Sequence, residues 1–254
     1  MKEWKNVWIL AEVSRGKVSP TAYELLNAGR KLADDLGEKL CAVLLGKEVK
    51  KFARDMFEHG ADIVYVCDAP QLENYVDDVY AKTLSAMIAQ YKPNKFLLPA
   101  TNMGRSLSAK TAILAGTGLT ADATEVVIHK EDGQLHATRP TFGGNLMATI
   151  TCAHTRPEMC SLRPMAYPKA AKEAGHTGEV IEFAFDGGKF TSLAKFLQFV
   201  KSEGEGLDLS ETDVIVAGGR GLGKPEGFAL LEKLAKRLGG AVAASRAPVD
   251  SGWI

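Results

Sequence analysis

The chain has 254 residues, 46% hydrophobic and 24% charged, which supports a sizeable core in one or two domains and excludes wholesale disorder. Its 31 Lys and Arg balance 31 Asp and Glu, so no charge surplus drives it onto nucleic acid or an anionic membrane surface. Apolar runs such as VWILA and FLLPA are only strand length, so neither a bilayer span nor a signal peptide before the first strand is expected; a cytoplasmic protein is expected, or a matrix one if organellar.

The first 116 residues alternate apolar strand and amphipathic helix four times, the pattern of a parallel sheet covered by helices. Val7–Ala11 reads as the first strand. Ser19-Pro20 then opens a helix with apolar positions at Ala22, Leu25, Leu26, Gly29, Leu32, Ala33 and Leu36, closed by Gly37. Cys41–Leu45 leads to a helix with Val49, Phe52, Ala53, Met56 and Phe57 on one face. Ile63–Cys67 leads to a third helix, marked by Val76, Val79, Tyr80, Thr83, Leu84, Met87 and Ile88 and stopped by Pro93. Phe96–Leu98 is the fourth strand, and ATNMGRSLSAK (Ala100–Lys110) turns into a helix ending near Ala115.

Between about 120 and 186 short β-like stretches take over: ATEVVIH, LHATRP, LMATITC and VIEFAF. Asp132-Gly133, inside EDGQ, is the strongest hairpin cue, because both residues tolerate the left-handed backbone of a tight turn. Together these stretches predict a mixed extension of the sheet. Thr117–Val126, Arg139–Ile150 and Cys160–Pro168 are dense in small polar residues and glycine; they read first as turns, with binding or subunit contact as the alternative. The four cysteines form no CxxC. Cys41 and Cys67 fall in strand runs as small buried hydrophobes, and Cys152, His154 and Cys160 miss the known zinc spacings, so no metal site is expected.

Ser202–Glu211 is polar, acidic and glycine-bearing and reads as a flexible hinge, dividing the chain into residues 1–203 and 204–254. Beyond it DVIVAGGRGLG runs from a strand into a glycine-rich turn. A helix with Phe228, Leu231, Leu234, Ala235 and Leu238 follows and ends at Gly239-Gly240, and a second strand begins AVAASRAPVDSGWI. Two strands close no core, so the 254 residues are expected to be the front of a longer chain whose second domain is incomplete.

The turn Gly218 to Gly223 offers backbone N–H groups to a phosphate, and Arg220 would add charge-assisted hydrogen bonds of about 1.5–3 kcal/mol each. Tight strand-to-helix packing calls for the same glycines, so both readings stand here. The GxGxxG spacing is absent and no acidic residue follows about 20 positions on, which disfavours an NAD-dependent dehydrogenase. Ser245 and Arg246 follow the strand Ala241–Ala244, where α/β sheets bind ligands; a surface pair between Arg246 and Asp250 is the alternative. Neither GxSxG nor HExxH occurs, and hydrolytic chemistry is poorly supported.

In this order VWILAE, ATNMGRSLSAKTAILAGTGLTADATEV, TRPTFGGNLMATI, RPMAYP, VIVAGGRGLG and AASRAPVDSGW resemble the alpha subunit of electron transfer flavoprotein over essentially the whole chain. The resemblance implies an α/β fold: an N-terminal domain (1–203) with a parallel or mixed, nucleotide-binding-like sheet flanked by helices, which contacts a beta subunit. It also implies the first part of a doubly wound FAD-binding domain (204–254), appearing truncated. The implied role is to bind FAD and shuttle electrons from an acyl-CoA dehydrogenase or other flavin dehydrogenase to a downstream acceptor, in some members by bifurcation of electrons from NADH. Carried over by motif, Arg220 lies near the flavin and its phosphates, Ser245 is an FAD ligand, Arg246 stacks near the isoalloxazine ring, and Gly219 and Gly221 leave the backbone room. The family continues past SGW with a glutamine–threonine loop and a glycine-serine-glycine stretch. A non-redox nucleotide-binding module of the stress-protein type, which shares the layout of residues 1–116, is the alternative.

Overall fold

A computed structural model of the protein describes residues 3–198, 200, 209 and 212–254. They divide into two compact units, Met1–Leu197 and Gln198–Ile254. Apart from Leu209, the predicted hinge Ser202–Glu211 lies outside the described residues.

The first unit opens with β1 (Val7–Leu10), a short hairpin of β2 (Val13–Ser14) and β3 (Lys17–Val18), and α1 (Pro20–Leu36). β4 (Leu40–Gly46), α2 (Ala53–Glu58), β5 (Ile63–Asp68), α3 (Asp77–Tyr91), β6 (Lys95–Pro99) and α4 (Asn102–Ala115) complete four strand–helix alternations. Then come β7 (Leu119–Ala123), β8 (Glu125–Ile128), β9 (Leu135–Thr141), β10 (Leu146–Ile150), β11 (Glu158–Leu162) and β12 (Glu179–Glu182). Seven strands form one sheet in the order β12-β5-β4-β1-β6-β11-β7, and every neighbouring pair is parallel. The chain runs outward from β1 through β4 to β5 and returns to β6 on the other side of β1. The switch point, where open α/β sheets leave a crevice, therefore lies between β1 and β6.

The core follows from strand alternation. Val7 and Ile9 of β1, with Leu40, Ala42 and Leu44 of β4, face α1 and α2, meeting Leu25, Leu26, Leu32 and Met56. Trp8 and Leu10, with Cys41, Val43 and Leu45, face the other way into Tyr80, Leu84, Met87, Phe96 and Leu107, covered by α3 and α4. Both faces are buried, which is why these strands read as continuous apolar runs. Burial pushes the Cys41 and Cys67 thiols up, the latter to about 12, so both act as core residues and not as nucleophiles.

The mixed extension expected for residues 120–186 is corrected. β8, β9 and β10 make a separate antiparallel sheet in the order β10-β9-β8, while β7, β11 and β12 join the main sheet in parallel. The reason lies in the connections: the turns at Asp132-Gly133 and around Phe142–Asn145 are too short to join anything but antiparallel neighbours. A second correction concerns Cys160–Pro168, read as a turn. Its first three residues belong to β11, which is buried along its whole length between β6 and β7. Polar composition disguised the strand, because its polar side chains are satisfied internally: Ser161 Oγ accepts the Asp122 N–H at 3.0 Å, and Glu158 pairs with Lys95 at 2.8 Å.

Gly104 sits in the first turn of α4, where its N–H donates to the Thr101 hydroxyl at 3.0 Å. A Cβ there would lie 1.9 Å from the Pro99 carbonyl oxygen, which is backbone and has nowhere to move. Gly104→Ala is accordingly expected to cost at least about 1–3 kcal/mol, seen as a lowered urea midpoint with unchanged slope.

The second unit holds β13 (Ile215–Gly218), α5 (Phe228–Leu238), β14 (Ala241–Ala244) and the short α6 (Arg246–Asp250). β13 and β14 pair in parallel from Ile215↔Ala241 to Gly218↔Ala244. Phe228 and Ala235 of α5 are buried, whereas Leu230, at 71% exposure, Leu234 and Leu238 stay open to solvent. No helix among the described residues is long and apolar enough to cross a membrane.

Candidate functional site

In the first unit the crevice at the switch point is taken up by the chain's own polar groups. Past the end of β1, Glu12 accepts a hydrogen bond from the Thr101 hydroxyl beyond β6, at 2.6 Å, and burial holds its carboxyl above the usual range. Arg105 Nε donates to the Ala100 carbonyl at 2.9 Å. Arg163, just after β11, grips Asp122 of β7 with contacts of 2.6 and 3.2 Å and holds that carboxyl low. Each of these groups has a partner within the unit.

The second unit differs. β13 ends at Gly218, where a Cβ would come within 2.7 Å of Leu222, Leu231 and Phe228, so strand–helix packing alone requires that glycine. Gly219 and Gly221 are another matter. A Cβ on Gly219 would stand at an ordinary 3.6 Å from Ser245 Oγ, and one on Gly221 would meet nothing within 4 Å. Neither residue has the left-handed backbone that favours glycine. Packing within the unit would therefore admit a side chain at both, in ordinary contact with Ser245 at Gly219 and in open space at Gly221, so neither glycine is required by it.

Donors surround that space. The turn Arg220–Leu222 is one short 3₁₀ helix, so the N–H groups of Arg220 and Gly221 at its start have no acceptor inside it. Among the described residues the exposed Arg220 side chain has no carboxylate partner. The Ser245 N–H donates to the Gly218 carbonyl at 2.9 Å, which ties the carboxyl ends of β13 and β14 together and brings Ser245 beside Gly219. Ser245 Oγ makes no capping bond to α6 and is available to a ligand. Arg246, the first residue of α6, is 92% exposed and pairs with Asp250 at 3.0 Å, an i,i+4 contact of about 0–1 kcal/mol that a ligand easily displaces. The five candidates Gly219, Arg220, Gly221, Ser245 and Arg246 thus share one end of a parallel strand pair. Among the described residues, that end presents one guanidinium, two N–H groups without a backbone acceptor and a hydroxyl, donors of the kind that can meet an anionic group.

Cys152, His154 and Cys160 form no such constellation: Cys160 is buried in β11 with its thiol pushed up by burial. Among the described residues the side chains that do converge are His129, Asp132 and His136, whose potential ligand atoms all lie within 4.8 Å of one another. Sequence reading missed them because their spacing fits no helical or zinc-ribbon pattern. The signal was the Asp132-Gly133 turn, which folds the two histidines onto adjacent strands.

Residues 7–187 match the family model described as electron transfer flavoprotein domain, and residues 208–254 match the electron transfer flavoprotein FAD-binding domain. The chain is 45% identical, over all of its length and 77% of the relative's, to the electron transfer flavoprotein subunit alpha of Thermoanaerobacterium thermosaccharolyticum. It is 43% identical to the subunit of the same name in Megasphaera elsdenii, covering 100% of this chain and 76% of that one. A third relative, the acryloyl-CoA reductase electron transfer subunit beta of Anaerotignum propionicum, is 38% identical over 100% of this chain and 77% of its own. The stress-protein alternative finds no support in these matches.

Proposed function

Since the chain belongs to the electron transfer flavoprotein family, on its alpha-subunit side and with FAD as cofactor, we propose that it works in the cytoplasm beside a beta subunit, relaying electrons from a flavin dehydrogenase to a downstream acceptor. The observation that carries this is the donor set around Gly219 and Gly221, without acceptors among the described residues, within the segment that matches the FAD-binding domain. Residues 204–254 serve as the first part of that domain and residues 1–203 as the domain that meets the beta subunit. The β9–β10 hairpin supports such a contact, since it presents Phe142, 80% exposed, with Leu146 and Met147 to solvent. The relative named for acryloyl-CoA reductase supports an acyl-CoA-type redox partner.

Arg220, with its own N–H and that of Gly221, would hold the pyrophosphate; Ser245 would bond the cofactor beside Gly219, and Arg246 would lie by the flavin ring. When bound, the flavin supplies one- and two-electron transfer. The residues' share is to fix its position and set its charge environment. Arg246 gives up an exposed pair with Asp250 to do so, a small cost against a charged contact in a drier site.

The test is co-expression with a beta subunit. A yellow heterodimer is expected, and Arg220→Ala should weaken FAD retention about 10- to 150-fold, the equivalent of one charge-assisted contact of about 1.5–3 kcal/mol. A colourless complex after incubation with FAD, or equal retention by the variant, would refute the assignment. Bifurcation from NADH at a second FAD in the beta subunit is the finer form of the same proposal, checked by NADH-dependent reduction of the heterodimer.

A further inference from the structure

The β8–β9 hairpin has one face in the core and one in solvent. Val126 pairs with Ala137 and Ile128 with Leu135, and all four are buried. Side chains alternate, so His136, opposite Val127, and His129, two residues beyond Val127, share the solvent face as diagonal neighbours across the strands. Their rings stack with centroids 4.6 Å apart and planes 5° from parallel. Asp132 comes back from the turn to place Oδ1 3.1 Å from His129 Nδ1. The same oxygen accepts the Gln134 N–H at 3.0 Å, so the carboxylate is already oriented.

The turn that carries these groups is held from below. Lys95 Nζ, in the core at the start of β6, donates to the Gly133 carbonyl at 2.8 Å, and the Leu135 N–H donates to the buried Glu158 carboxylate. The Gly133 N–H closes the turn on the His129 carbonyl at 2.8 Å. A ligand arriving at the solvent face would meet a backbone that needs no ordering, which removes a principal cost of binding.

We propose that His129, Asp132 and His136 form a binding site for a divalent transition-metal ion of the zinc type, with two imidazoles and one carboxylate as ligands and water in the remaining positions. Donor type points to that class: imidazole with a carboxylate suits Zn²⁺, Ni²⁺ or Co²⁺, whereas Mg²⁺ and Ca²⁺ take oxygen. Distance agrees. Ligand atoms about 2.0–2.2 Å from a tetrahedral zinc ion stand about 3.3–3.5 Å apart; the candidate atoms already lie within 4.8 Å of one another, and the stacked rings must turn for their lone pairs to meet at one ion. The site lies in the unit that does not carry the FAD candidates, so its test is independent of the flavin assignment.

The full chain, stripped with a chelator, is titrated with Zn²⁺ by calorimetry. One equivalent should bind. His129→Ala with His136→Ala should abolish that equivalent, Asp132→Asn should weaken it at least about 10-fold, and Cys152→Ser should leave it unchanged. Both histidines are half-buried on the hairpin's solvent face, and circular dichroism of the metal-free variants checks their fold. Should the double variant misfold, Asp132→Asn carries the test by itself, because the amide oxygen keeps the turn's acceptor. A zinc-induced rise in melting temperature, present in the parent and reduced in Asp132→Asn, is the second readout. Failure of the parent to bind stoichiometrically, or undiminished binding by the histidine and aspartate variants, overturns the proposal.

Discussion

Glu158→Ala is expected to destabilise the protein by about 3–5 kcal/mol, a large fraction of what holds any domain of this size together. The carboxylate is fully buried at the start of β11 and meets two hydrogen-bond donors and a second cation at once. Lys95 Nζ meets it at 2.8 Å, Arg156 Nη1 at 2.9 Å, and the Leu135 N–H donates to its second oxygen. Burial already pulls the Lys95 ammonium below the ordinary lysine range, with Glu158 acting the other way. Truncation strands a buried cation and orphans a backbone N–H, and both penalties fall on the folded state. Glu158→Gln, which keeps the shape and one acceptor, should cost less. Urea unfolding followed by circular dichroism reads both; a loss below about 1 kcal/mol for the alanine variant would mean that water reaches the cluster.

Arg246→Ala is expected to lower the one-electron potential of the bound flavin by about 60–130 mV in the heterodimer. A guanidinium beside the ring favours the reduced, more negative flavin, and an interaction of about 1.5–3 kcal/mol converts at about 59 mV per 1.4 kcal/mol. Since Arg246 is exposed and, among the described residues, paired with Asp250 alone, its removal should barely touch stability. Arg246→Lys keeps the charge and loses the planar fork, so it separates electrostatics from stacking. A spectroelectrochemical titration with no shift for Arg246→Ala would remove Arg246 from the flavin's surroundings.

Much of this was legible in the sequence, for identifiable reasons. β1, β4, β5 and β6 are largely buried on both faces, so each carries an apolar run, and Ser19-Pro20 and Gly37 mark the ends of α1 as local chemistry. The glycine turn after Gly218 stood out too, though only the packing distances separate Gly218, a structural glycine, from Gly219 and Gly221, which leave room. β11 stayed hidden because Glu158 and Ser161 are polar; what makes them core residues is the pairing with Lys95 and Asp122, which are distant in the chain. The convergence of His129 and His136 was invisible for the same reason: cross-strand proximity depends on register, which residue spacing does not display.

The place of β11 bears on how the protein is made. It wedges between β6, which ends at Pro99, and β7, which ends at Ala123, yet its own last residue is Leu162. On the ribosome the growing sheet therefore waits about sixty residues, roughly 3–12 s at 5–20 residues per second, with one border of its central strands bare. Throughout that interval the nascent polypeptide offers a hydrophobic ribbon to any neighbour able to pair with it, and chaperones would find their client there.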